Sequence, residues 1–216
     1  MLTLFDELFL LSIDEENGTV VPSVVIPLGY GLSGAMLAEL VLLGRVKVKD
    51  SQRLVIIDQT PVGDDLLDEV LQQIQEIEQP RKLTYWVKHF SAEPKKMRHR
   101  LIERLVGKGV LIQEEMHLSW VVPYAESPAQ NASAKYLLKN RLRNMQLANQ
   151  EPELQELALL SLAKACSMLK LIFTIDERKW ARHRIYELMV KQALNNPVVQ
   201  YIQEIEAAVE SQVSAD

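Results

Sequence analysis

The sequence predicts a mainly α, compact multi-helix domain carrying short β-hairpins, and three observations predict it. Apolar residues recur at helical spacing along much of the chain and throughout its last third. Two stretches repeat one plan of apolar helix, glycine, strand, polar turn and strand: MLAELVLLGRVKVKDSQRLVIID and RLIERLVGKGVLIQEEMHLSWVV. The composition, 48% hydrophobic and 25% charged, is that of an ordinary globular protein and argues against disorder. At 216 residues the chain is long enough to bury a real core, as one large domain or two small ones. Its net charge of -5 excludes a molecule built all over to coat nucleic acid or an anionic membrane, so an anion-binding surface must be local.

In the first stretch, MLTLFDELFLLSIDEE, Leu4, Leu8 and Leu11 with Phe5 and Phe9 follow helical spacing, so an amphipathic first helix is expected. It has no leading positive charge and carries Asp6 and Glu7, unlike a signal or transit peptide. Asn17-Gly18 marks a turn. Residues 19–29, TVVPSVVIPLG, are apolar but interrupted by Pro22 and Pro27, so an irregular extended segment is expected. Gly31 and Gly34 then bracket a tight entry with Ser33 as N-cap, leading into a helix over 35–43 buried on most sides. Gly44 ends it, and RVKVK and RLVIID alternate around Asp50-Ser51-Gln52 as a small hairpin. No apolar run is expected to reach the ~20 residues that span a bilayer.

Asp64 is the expected N-cap of the next helix, with Asp65, Asp68 and Glu69 where the helix dipole favours negative charge. Leu67, Val70, Leu71, Ile74 and Ile77 supply its apolar stripe, and Pro80 closes it. With no His or Cys beside them, these carboxylates read as dipole compensation and not as a metal site. LTYWVKHF follows as a short helix with Trp86 and Phe90 directed at the core.

Residues 95–122 depart furthest from the chain average, as a basic helix leading through Lys108-Gly109 into an apolar hairpin. On a helical wheel Met97, Leu101, Ile102, Leu105 and Val106 form one apolar arc, and Lys96, Arg100 and Arg104 form the opposite, solvated face. Arg98 falls inside the apolar arc and Lys95 near its edge. A guanidinium on that side is costly unless it meets an anion, either an internal carboxylate or a phosphate, which its planar fork suits. Two strands are expected at 110–112 and 118–122, presenting Met116, Leu118 and Trp120 near the tip. Those residues either touch a membrane or a partner, or fold flat on their own core.

The last third reads as helices, with Pro152 and Pro197 near helix starts and residues from 207 onward loosening. Cys166, the single cysteine, excludes an internal disulfide, fits a reducing compartment, and is expected as a small buried residue. No phosphate loop, nucleophile elbow or zinc pattern is present, so no enzyme and no cofactor are predicted. The repeated helix-plus-hairpin plan resembles winged-helix proteins, which makes a protein- or nucleic-acid-binding module the alternative function. Against nucleic acid stand the acidic chain and the lack of a recognition helix rich in Arg, Asn and Gln.

From residue 2 to about 209 the chain resembles the Golgi phosphoprotein 3 family, on the segments LTLFDELFLL, GLSGAMLAELVLLGRV, PVGDDLLDE, RHRLIERLVGKGVL and LALLSLAKA. The resemblance implies a single mostly helical domain over 1–209, with 210–216 as a frayed tail. It also implies a non-catalytic, cytoplasmic, peripheral membrane protein that binds phosphatidylinositol 4-phosphate. The family's headgroup site uses a Trp ahead of a Gly-Leu-x-Gly turn, an Arg within that turn, and two basic residues three apart on the helix before Lys-Gly-Val-Leu. Those positions match Val24, Ser33, Lys95 and Arg98 here. The phosphate grip is kept, while aromatic stacking and part of the fork-type donors are replaced, which leaves open a different anionic headgroup. The family hairpin touches membrane or a second subunit, which points to Met116, Leu118 and Trp120 and to a homo-oligomer through 110–122. A start directly at the first helix implies a prokaryotic member without the coat-adaptor role.

Overall fold

The computed structural model describes residues 1–14, 18–111, 128–147 and 151–215. Ten helices and one two-stranded antiparallel hairpin are found among them.

Helix α1 (Leu4–Ser12) is buried along its whole length, and Thr3 and Asp6 close a capping box at its start. Pro22 opens a single 3₁₀ turn at Pro22–Val24. Helix α2 (Val25–Leu42) follows without a break. The segment expected to be irregular is thus helical: Pro27 lies in the first turn, where its missing N–H would have had no intrahelical acceptor. Ser33 is not an N-cap but sits mid-helix, fully buried, its hydroxyl donating 3.0 Å back to the Gly29 carbonyl. Gly31 and Gly34 are close-approach sites and not a tight entry. A Cβ on Gly31 would collide with Cys166 Sγ, and one on Gly34 would stand 2.6 Å from Val209 Cγ2. The helix expected to start at residue 35 therefore starts ten residues earlier.

Helix α2 with the preceding turn, Pro22–Leu42, is also long and apolar enough to cross a membrane, with a mean hydropathy of 1.6, contrary to expectation. Its residues are 72% buried within the protein, so it is here the central core helix. Gly44, at φ +67°, ends it as expected. Strands β1 (Val46–Lys49) and β2 (Arg53–Ile56) pair in register Val46 to Ile56.

Asp64 caps α3 (Asp65–Gln75), accepting from the Leu66 and Leu67 amides, and Leu67, Val70, Leu71 and Ile74 are buried as the stripe predicts. Helix α4 (Leu83–Phe90) buries Trp86, and α5 (Pro94–Gly107) buries Leu101 and Leu105. Helix α6 (Pro128–Leu147) contributes Leu138 and Leu142 to the core. Helix α7 (Leu154–Ala165) ends at Cys166; Ser167 takes φ +57° and the chain turns into α8 (Leu169–Ile172). Helices α9 (Ile175–Ala193) and α10 (Pro197–Val213) complete the bundle. Helix α10 runs past the expected loosening at residue 207, with Ala208 and Val209 buried. Helix α2 packs against α1, α4, α7 and α10. The helix-plus-hairpin plan is realised by α2, β1 and β2; in its echo Val110 and Leu111 form a bend and not the start of the strand expected at 110–112, and the rest of that hairpin, with Met116, Leu118 and Trp120, lies outside the described residues.

Candidate anion-binding site

Helix α5 carries the basic residues singled out by the wheel, and its two halves treat them differently. In the C-terminal half, Arg104 is held by three carboxylates. Its Nε donates 2.9 Å to Asp6 Oδ1, its Nη2 bonds Asp64, and its Nη1 stands 3.3 Å from Asp65. The guanidinium also lies over the Phe5 ring, 5.2 Å from the centroid. Lys108 donates 2.5 Å to the other Asp6 oxygen, and Arg100 donates 2.5 Å to Glu69. Asp6 itself is wholly buried. Burial opposes the charge on Arg104, but its bonds to Asp64 and Asp6 outweigh that and hold its pKa above the ordinary guanidine value. The face expected to be simply solvated is therefore a charge network that ties α5 to α1 and α3. Sequence reasoning missed Asp6 as its hub. The available signal was an acid at the third position of a largely apolar helix, three residues after Thr3.

The N-terminal turn differs. It opens with Pro94 and contains no acidic residue, although a helix N-terminus favours negative charge. Arg98 Nε donates 3.2 Å to the Pro94 carbonyl. Neither Arg98 nor Lys95 has a carboxylate partner among the described residues, whereas Lys96 on the other side pairs with Glu93 at 3.1 Å. Lys95, Arg98, His99 and Ile102 form one wall of an open cavity of about 280 Å³. Its other wall is chiefly apolar, from Phe9, Ile13, Val20 and Val25. The structure thus brings Lys95 and Arg98 to one opening. It does not bring Val24 or Ser33 there: both are fully buried, and neither lines the cavity.

This arrangement lies within residues 4–205, which match the family model described as Golgi phosphoprotein 3 (GPP34). The chain belongs to the Golgi phosphoprotein 3 family. Among the relatives of this Golgi phosphoprotein 3 family member is vacuolar protein sorting-associated protein 74 of Eremothecium gossypii, 30% identical over 227 residues, covering 88% of this chain and 68% of the relative. The family is non-catalytic. Among the described residues no group of three or more His, Cys, Asp or Glu side chains could hold a metal ion.

Proposed function

We propose that this Golgi phosphoprotein 3 family member is a peripheral membrane protein on a cytoplasmic membrane face. In this reading Lys95 and Arg98 grip the phosphate of a phosphorylated lipid headgroup, phosphatidylinositol 4-phosphate being the one the family resemblance implies. One observation carries the reading. Of the three arginines on α5, Arg100 and Arg104 are matched to internal carboxylates, and only Arg98 is left, without an acidic partner among the described residues, at an opening it shares with Lys95. An arginine fork beside a helix N-terminus that lacks acidic residues is a fitting receptor for a phosphate monoester. The apolar wall opposite suits the glycerol and upper acyl region of a lipid more than a free, fully hydrated ion. Val24 and Ser33 enter the proposal through the family match alone, since both are buried and neither lines the cavity. Met116, Leu118 and Trp120 enter it as contacts to membrane or to a second copy of the chain. The relative's name ties that protein to vacuolar protein sorting, and a sorting role is part of the same proposal.

Flotation with vesicles tests it. The native protein is expected to rise with vesicles containing phosphatidylinositol 4-phosphate or another anionic phosphorylated lipid, and not with neutral ones. Arg98→Ala is expected to lower that recovery by about tenfold, the scale of a lost charge-assisted contact. Equal recovery of the two proteins on every lipid would remove the reading.

A further inference from the structure

A second concentration of positive charge lies away from α5, on a groove of about 470 Å³ between the β2 strand, the start of α4 and the end of α10. Arg53, Arg81, Lys82 and Lys88 line it, together with Tyr85 and Gln212. In a chain of net charge -5 this is a notable imbalance. No carboxylate lines the groove, and none of the four cations has an acidic partner among the described residues. All four are exposed, so their charge is held in place by the fold and not by burial.

Two of the cations are also fixed in position. Arg53 Nη1 donates 2.8 Å to the Pro80 carbonyl, and the Arg53–Lys82 backbone bridge joins β2 to the segment before α4. The Arg81 guanidinium lies over the Tyr85 ring, 5.5 Å from its centroid. Fixed guanidinium forks lose less side-chain freedom when they close on a tetrahedral anion, and two lysines beside them supply point charges without directional demand. Tyr85 narrows the choice of ligand. Its ring faces Arg81, and it is stacked nearly parallel to His89 with the planes 8° apart. With Arg81 over that ring and His89 packed beside it, the groove offers four cations and a single partly exposed ring, which is what a phosphate needs and not the row of stacking faces that single-stranded nucleic acid needs.

We propose that this groove is a second phosphate-recognition site, independent of the cavity at Arg98, for a phosphate ester carrying two or more negative charges. Such a group has two sources, a free phosphorylated small molecule and a phosphorylated headgroup in a membrane, and the groove chemistry is the same for both.

The test uses inositol hexakisphosphate as a soluble probe, with isothermal titration of the full chain in low and in physiological salt. The comparison is with Arg81→Gln/Lys88→Gln, which leaves the Arg53–Pro80 hydrogen bond untouched, and with Arg98→Ala. Arg98→Ala should lose only the share of the probe held at the α5 cavity and keep the share held at the groove, which weakens as salt rises. The double variant should lose at least tenfold in affinity while its circular dichroism stays native. Vesicle flotation of the double variant identifies the source. A loss of recovery assigns the groove to a membrane headgroup, and unchanged recovery with lost probe binding assigns it to a free phosphate ester. Native-like probe binding by the double variant overturns the proposal. So does loss of the probe on Arg98→Ala alone, which would assign all binding to the α5 cavity. So does no probe binding by any of the proteins, with or without a mobility shift of an oligonucleotide.

Discussion

Asp6 decides how α5 is seated, because its two oxygens face Arg104 and Lys108 from a wholly buried position. Asp6→Ala is expected to cost about 3 kcal/mol, since it removes the shared partner of two cations and leaves Arg104 partly stranded. Urea denaturation reads this directly, and a loss under about 1 kcal/mol would mean that Asp64 and Asp65 suffice alone. Cys166 supplies a second residue-scale outcome. Burial pushes its thiol from 9.0 up to about 12, and it donates 3.4 Å to the Pro27 carbonyl. A raised folded pKa means that its stabilising share is complete below about 9 and is lost as pH rises towards about 12. Native protein at pH 8 should therefore resist iodoacetamide for hours, and react within minutes once unfolded. The small buried cysteine, the Asp64 cap and the unusual place of Arg98 were legible from spacing and residue type. The Arg104 network was not, because a wheel shows which way a side chain points and not whether a carboxylate ninety-eight residues away will meet it.

At the scale of elements, α2 carries the largest departure from expectation. Two prolines in eleven residues argue locally against a helix, and they lose because each falls in a first turn where its missing donor is not needed. The glycines of α2 misled for a related reason. Glycine in a helix is usually a weakness relative to alanine, but here α7 and α10 approach α2 so closely that a methyl group has no room. Gly34→Ala should accordingly destabilise by about 1–3 kcal/mol, the cost of overpacking, although propensity alone favours alanine. Gly107, near the end of α5 with no atom within 4 Å of its added Cβ, is the control. Gly107→Ala should be neutral or stabilise by up to about 1 kcal/mol, by thermal or urea unfolding. If both changes act alike, close packing is not what places glycine at 34. The hairpin after α2 was readable because alternation and a polar turn are local signals, which inter-helix spacing is not.

For the whole molecule, the main question is how a chain with a 21-residue apolar helix meets a membrane. The helix packs against α1, α3, α4, α7 and α10, so membrane contact is expected through surface charge and not through insertion of α2. Membrane-bound protein should be released by high salt or by alkaline carbonate, without detergent. Retention after both washes would show that α2 can leave the core. The same enclosure has a consequence during synthesis. Leu4–Ser12 is made well before α5, and Asp6 in its first turn waits for Arg104, ninety-eight residues later. At the usual pace of a ribosome that delay is roughly 5–20 s. For that interval water alone answers the charge on its acid, and the apolar side of α1 has no finished core to close over it.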